Sequence, residues 1–273
     1  MIYIARAQKA TDPKDKIFAL LGMLDASPIT PDYASSKRAV YISATREVFH
    51  KSLFILLMVE SPRRRVCLSD DLPSWVPEFS TPQYPIANFV ALRSSFFRAS
   101  PEGPEVQFSS HPSREILILK GVYVAVVTDV YIAQFKNANQ AREDKTLELK
   151  LIKYNDYPAA RWKSAKVDLL PAPCGERKRA PTPENTSWGP YWVEVQEIII
   201  VAKGSSLPLV LRRTSDYYLL VGACFLIDSQ ILQIEQDQNL SFTADDPGFS
   251  SIMRGSVWDE VGKSRQEEHF HIH

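Results

Sequence analysis

Glu115-Ile116-Leu117-Ile118-Leu119-Lys120-Gly121, running on into the β-branched stretch from Val122 to Val130, decides the fold. Val and Ile are stiff at χ1 and suit a pleated surface better than a helix, so this block reads as two strands meeting near Gly121. A second block of the same character begins at Ile198-Ile199-Ile200-Val201. It turns at Gly204-Ser205-Ser206, runs as a strand from Leu207 to Arg212, turns again at Thr214-Ser215-Asp216 and returns from Tyr217 to Ile227. Short turns predict antiparallel neighbours, and the five strands of 115–130 and 196–227 are expected to form a small antiparallel β-barrel-like module, a barrel or a curled sheet, over about 112–235.

The interval between the two blocks, about 135–190, reads as a helical or irregular insertion. From Asn137 to Tyr154 the residues Leu147, Leu151 and Tyr154 would share a helix face. The basic stretch that follows, Arg161, Lys163, Lys166 and Arg177-Lys178-Arg179, is broken by Pro171, Pro173, Pro181 and Pro183, as expected of a solvated loop. Beyond Gln233 the apolar pattern fades, and 236–273 is expected to be a weakly ordered tail.

Ahead of the strands, residues 1–85 have the marks of a helical module. In Thr11-Asp12-Pro13-Lys14-Asp15-Lys16, Asp12 can accept a bond from an orphan amide as an N-cap, and Pro13 loses nothing at the first helical position. Asp15 suits the positive end of the helix dipole. Ile17, Leu20, Leu21 and Leu24 follow on one face. Pro31-Asp32-Tyr33 leads into a second helix from about Ser36 to His50, with Val40, Ala44 and Val48 at four-residue spacing. Pro73 and Pro77 in Leu72-Pro73-Ser74-Trp75-Val76-Pro77-Glu78-Phe79 suppress helix, so this stretch should lie extended over the helices with Trp75 as its anchor. The expected class is α+β, the helical module packed on the β-barrel-like one.

Composition narrows the function. Lys plus Arg and Asp plus Glu are 32 each, so no global field steers the chain to nucleic acid or anionic lipid. The longest apolar run, Leu53 to Val59, is far short of the roughly 18 residues a spanning helix needs, and no membrane association is expected. Cys67, Cys174 and Cys224 stand far apart, in a pattern that fits reduced thiols. With no secretory pattern at the start, the expected location is cytoplasmic. The partner class left open is protein, with Trp162, Trp188 and Trp192 the first place to look.

Chemistry is sparse. The chain has no G-x-S-x-G, H-E-x-x-H, Walker or G-x-G-x-x-G pattern, and no cofactor is expected. Asp12, Asp15 and Tyr33 could be imagined as the acid and base groups of a small intracellular enzyme, but capping and packing account for each. Cys67 follows three arginines without an identifiable histidine partner, and Cys224 lies in an apolar strand. His269, His271 and His273 alternate at the end of the chain, where adventitious metal binding is the better expectation. The expected protein is not an enzyme.

Several of these stretches, in this order, resemble the region that follows the effector domain in fungal heterokaryon-incompatibility proteins. Ala10-Thr11-Asp12-Pro13-Lys14-Asp15-Lys16-Ile17-Phe18-Ala19-Leu20-Leu21-Gly22 is similar to that family's t-D-P-R-D-K-[IV]-Y-A-L-L-G, with conservative changes at Lys14 and Phe18. Pro31-Asp32-Tyr33 followed by Val40-Tyr41 resembles P-D-Y with v-Y behind it, and Leu72 to Phe79 resembles L-P-S-W-V-P-D-W. Gly204 to Gly222, with Arg212 and Tyr218, resembles the glycine, L-R and Y-x-L-v-G pattern of a later strand. The His-Gly and second glycine turn that usually follow in the family are replaced by Cys224-Phe225-Leu226-Ile227-Asp228-Ser229. The resemblance implies an accessory or regulatory region of a non-self-recognition protein linked to programmed cell death. Only eleven residues precede Asp12, so a truncated product without the effector domain is expected. It also marks Asp12, Pro13, Asp15, Lys16, Asp32, Tyr33, Pro73, Trp75, Pro77, Gly204, Arg212, Tyr218 and Gly222 as structural motif positions.

Overall fold

The computed structural model describes residues 9–21, 29–49, 53, 56, 59, 72–80, 97–100, 103–111, 114–135, 147–156, 186–189, 193–227, 255–259 and 265–273. In chain order the elements are α1 (Asp15–Leu21), α2 (Lys37–Phe49), β1 (Val106–His111), β2 (Arg114–Phe135) and β3 (Leu147–Asp156). They continue with β4 (Thr186–Gly189), β5 (Ile198–Ala202), β6 (Leu209–Arg213), β7 (Tyr218–Ala223), β8 (Phe225–Ile227), α3 (Ser256–Asp259) and β9 (Glu267–Ile272). The architecture is α+β.

Both leading helices start where side-chain oxygens satisfy orphan amides. Asp12 Oδ1 accepts the Lys14 N–H at 2.8 Å, and the Asp12 carbonyl accepts that of Asp15 at 3.0 Å. Ser36 Oγ accepts the Ala39 N–H ahead of α2 at 3.2 Å. The buried face of α2 holds Val40, Tyr41, Ala44 and Phe49, close to the predicted spacing.

The described strands form one sheet in the order β5, β6, β7, β9, β2, β3, β4, β8, with β1 also on β2 and β5 closing back onto β2. The 22-residue β2 is its spine. Its lower half pairs with β1 and β9, its middle with β5 and its upper half with β3. Register shifts between Tyr123 and Ala125, and between Val127 and Asp129, bend the strand. Such bulges increase local twist and let a strand curl. The ring β2, β5, β6, β7, β9 is joined at β7 and β9 by a single parallel position, Tyr218 opposite Ile272. The sheet is curled and is not a closed barrel, so of the two forms expected it takes the curled sheet.

Other expectations are corrected. Gly121 is not a junction between two strands, because β2 runs straight through it. A Cβ there would stand 2.8 Å from the Val201 carbonyl oxygen and 3.1 Å from Ala202 Cα, so glycine permits the close approach of β5. The described part of the supposed helical insertion is extended: Leu147–Asp156 pairs antiparallel with β2, and Thr186–Gly189 pairs with β3. The residues 136–146 and 157–185 lie outside the described residues. The end of the chain departs most from expectation. Glu267–Ile272, within the stretch read as a weak tail, lies between β7 and β2, with Phe270 and Ile272 buried. Most of 236–264 lies outside the described residues.

Buried apolar residues make one cluster that includes Ile17, Tyr41, Phe49, Trp75, Leu117, Ile199, Leu220 and Phe270. Helices and sheet thus share a core.

Candidate functional site

The motif positions fall into three settings. In the first, α1 meets the turn before α2. The Tyr33 hydroxyl donates to Asp15 Oδ1 at 2.6 Å, and Lys14 Nζ donates to the Tyr33 carbonyl at 2.7 Å. The ring of Tyr33 is T-shaped to Phe18 at 5.0 Å and has Lys14 Nζ 5.5 Å from its centroid. Asp32 closes its own turn, accepting from the Ala34 N–H at 2.9 Å and the Ser35 hydroxyl at 2.6 Å. Pro13 presents its carbonyl to the Tyr41 hydroxyl at 2.9 Å, and Lys16 is buried. Tyr33 itself is 57% exposed. The Ser35 hydroxyl, then the Ala34 amide, holds the Asp32 carboxyl below its ordinary range. Asp15 accepts the phenol proton and so pushes Tyr33 above the usual phenol value.

The second setting is the proline-bracketed segment 72–80. Pro73 and Pro77 are buried, and the Pro73 carbonyl accepts the Val76 N–H at 3.0 Å. Trp75 has no exposed surface and packs 5.8 Å from Phe49 and 5.7 Å from Phe108, centroid to centroid. Its indole donates to the Glu115 carbonyl at 3.2 Å, where β2 begins. The Glu115 carboxylate pairs with Arg46 of α2, whose guanidinium lies 4.9 Å over the Phe108 ring. Buried Glu78 receives Lys37 Nζ at 3.0 Å and the Ser80 N–H at 3.0 Å. Tyr41 and Phe79 meet edge to face at 5.0 Å. Ser74, absent from the motif positions picked out in the sequence, bonds both Leu220 of β7 and His273 after β9.

The third setting is on the sheet. Arg212 donates from Nε to Glu197 Oε1 at 2.7 Å and reaches the same oxygen from Nη2 at 2.6 Å, with Glu194 Oε2 at 3.3 Å. Glu197 is 3% exposed and also accepts the Glu194 N–H at 3.0 Å through Oε2. Burial pushes its carboxyl up, while the Glu194 amide and Arg212 pull the other way. Gly204 has φ 82° and accepts the close approach of Pro104, whose Cα would lie 2.4 Å from a Cβ. Tyr218 offers its carbonyl to the His273 N–H at 2.9 Å and its ring edge to Phe270 at 5.8 Å. Gly222 is buried opposite Val210, next to the register shift between β6 and β7.

Glu197 and Ser74 are the residues the sequence reading missed. Glu197 is an acid directly before an apolar strand, which was a usable signal. Ser74 lies inside the Leu72-to-Phe79 resemblance, but nothing there points to its partners, which come from the far end of the chain. Among the described residues no group of three or more His, Cys, Asp or Glu side chains is arranged to hold a metal ion. No described helix is long and apolar enough to cross a membrane. Cys224 is buried, and Cys67, Cys174, Trp162 and Trp192 lie outside the described residues. Compared with family models, curated proteins and solved structures, the chain finds no match in any of them.

Proposed function

We propose that this chain is an accessory or regulatory region of a fungal non-self-recognition protein of the heterokaryon-incompatibility kind, without a catalytic role of its own. One observation supports it most. Each motif-like stretch from Asp12 to Gly222 is occupied with capping, packing or strand pairing, and each lends a residue, Ile17, Tyr41, Trp75 or Leu220, to one shared core. Such use of a motif is what a scaffold requires.

The enzymatic alternative rests on Asp12, Asp15 and Tyr33. Asp12 is engaged as a cap, and Tyr33 donates its proton to Asp15 on an exposed surface. A useful acid or base has a pKa near working pH, and Asp15 moves the phenol further from it. As for an interaction module, the exposed large apolar side chains among the described residues are Tyr33 and Val195. Among the described residues these two do not make a patch of the several hundred Å² that marks an interface, and Trp162 and Trp192 lie outside them.

The test is to produce the chain in a fungal host that displays incompatibility. No cell death is expected from the chain alone, and a changed strength of the reaction between incompatible strains is expected on co-expression. Death from the chain alone would refute the accessory role; an unchanged reaction would refute the regulatory one.

A further inference from the structure

Neighbouring strands of the curled ring are joined by several register positions, except between β7 and β9. There the strands share Tyr218 opposite Ile272, and the His273 amide donates to the Tyr218 carbonyl at 2.9 Å. The next connection comes from outside the sheet. Ser74 Oγ accepts the Leu220 N–H at 2.8 Å and donates its proton to the His273 carbonyl. A hydroxyl can do both because one atom carries a donor and two acceptor lone pairs. Ser74 thus stands in for a missing rung of the ladder.

The segment that carries this hydroxyl is held on its other side by α2. Lys37 pairs with Glu78, Tyr41 packs on Phe79, and Phe49 packs on Trp75. We infer that residues 72–80 are a latch that shuts the β7–β9 seam and couples it to the position of α2. When α2 shifts, the latch draws Ser74 out of the seam. The seam then opens while the ladder between β2 and β5, made of five register positions, stays closed. This coupling stands whether or not the chain belongs to a recognition protein.

Amide hydrogen exchange on the full chain tests it. The Leu220 and His273 amides report the seam, and the Lys203 amide, bonded to the Lys120 carbonyl, and the Val127 amide, bonded to the Glu197 carbonyl, serve as references. In Ser74→Ala the seam amides should exchange about ten- to a hundredfold faster, with the references changing by less than about threefold. Equal acceleration at all of them, or none at the seam, would overturn the latch. Glu78→Gln leaves the hydroxyl in place and keeps the test open even where Ser74→Ala does not fold. It should speed exchange at the same seam amides by about fivefold through loss of the charged bond. Unchanged seam amides in Glu78→Gln would overturn the coupling to α2.

Discussion

Residues 72–80 and residues 31–35 carry the same kind of sequence signal, short runs with proline, an acid and an aromatic, and the fold uses them oppositely. In the first run the aromatic is Trp75, buried completely between a helix and a strand. In the second it is Tyr33, exposed and tied down by its hydroxyl to Asp15. The first run therefore contributes chiefly through apolar burial and the second through hydrogen bonds at an exposed turn. Burial of a large aromatic is worth several times an exposed hydrogen bond, so the two runs should differ sharply in what they do for stability.

The largest effect is expected at the anchor itself. Trp75→Ala should cost about 4 kcal/mol of unfolding free energy, because it leaves a cavity beside Phe49 and Phe108. Urea denaturation checks this, and a cost under about 1 kcal/mol would place the segment outside the core. Gly204→Ala extends the comparison to a motif glycine on the sheet. Positive φ and overlap with the Pro104 backbone together should cost about 2–3 kcal/mol.

Glu197 sharpens the comparison through pH. Its folded-state pKa is raised above the ordinary 4.5 by burial, so the folded chain holds this proton more tightly than the unfolded one. The group's contribution is complete below about pH 4.5 and is lost as pH rises through the folded value. Wild type minus Glu197→Gln, measured by urea unfolding across that range, should show stability falling with pH. A difference that rises with pH would show that Arg212 and the Glu194 amide outweigh burial. The smallest effect belongs to the exposed run: Tyr33→Phe removes one surface hydrogen bond and should shift stability by about 0.5 kcal/mol or less, read from the urea midpoint.

The first two strands of the second β block and the starts of both helices were legible in the sequence, because turn residues and caps act locally, but Tyr217 to Ile227, read as one strand, is two, Tyr218–Ala223 and Phe225–Ile227, parted at Cys224. Leu147-Glu148-Leu149-Lys150-Leu151 offered two periods at once, with Leu147 and Leu151 four apart and apolar residues also at every second place. Pairing with β2 settled it as a strand. The last strand was missed because Phe270 and Ile272 are a short apolar signal among charged and histidine neighbours, and only β2 and β7 give it a face to bury. Of the candidate positions, the caps at Asp12 and the anchor at Trp75 were readable. The Ser74 seam was not, since it joins residues far apart along the chain, whereas the Arg212–Glu197 pair lies across the β5–β6 hairpin and was overlooked.

Residues 72–80 join the helices and the sheet into one core. Hydrogen exchange along a urea series, comparing α2 amides with those of β2 and β5, tests it most directly. Both sets should lose protection at one midpoint. Loss of protection in α2 at clearly lower urea than in the sheet would contradict it.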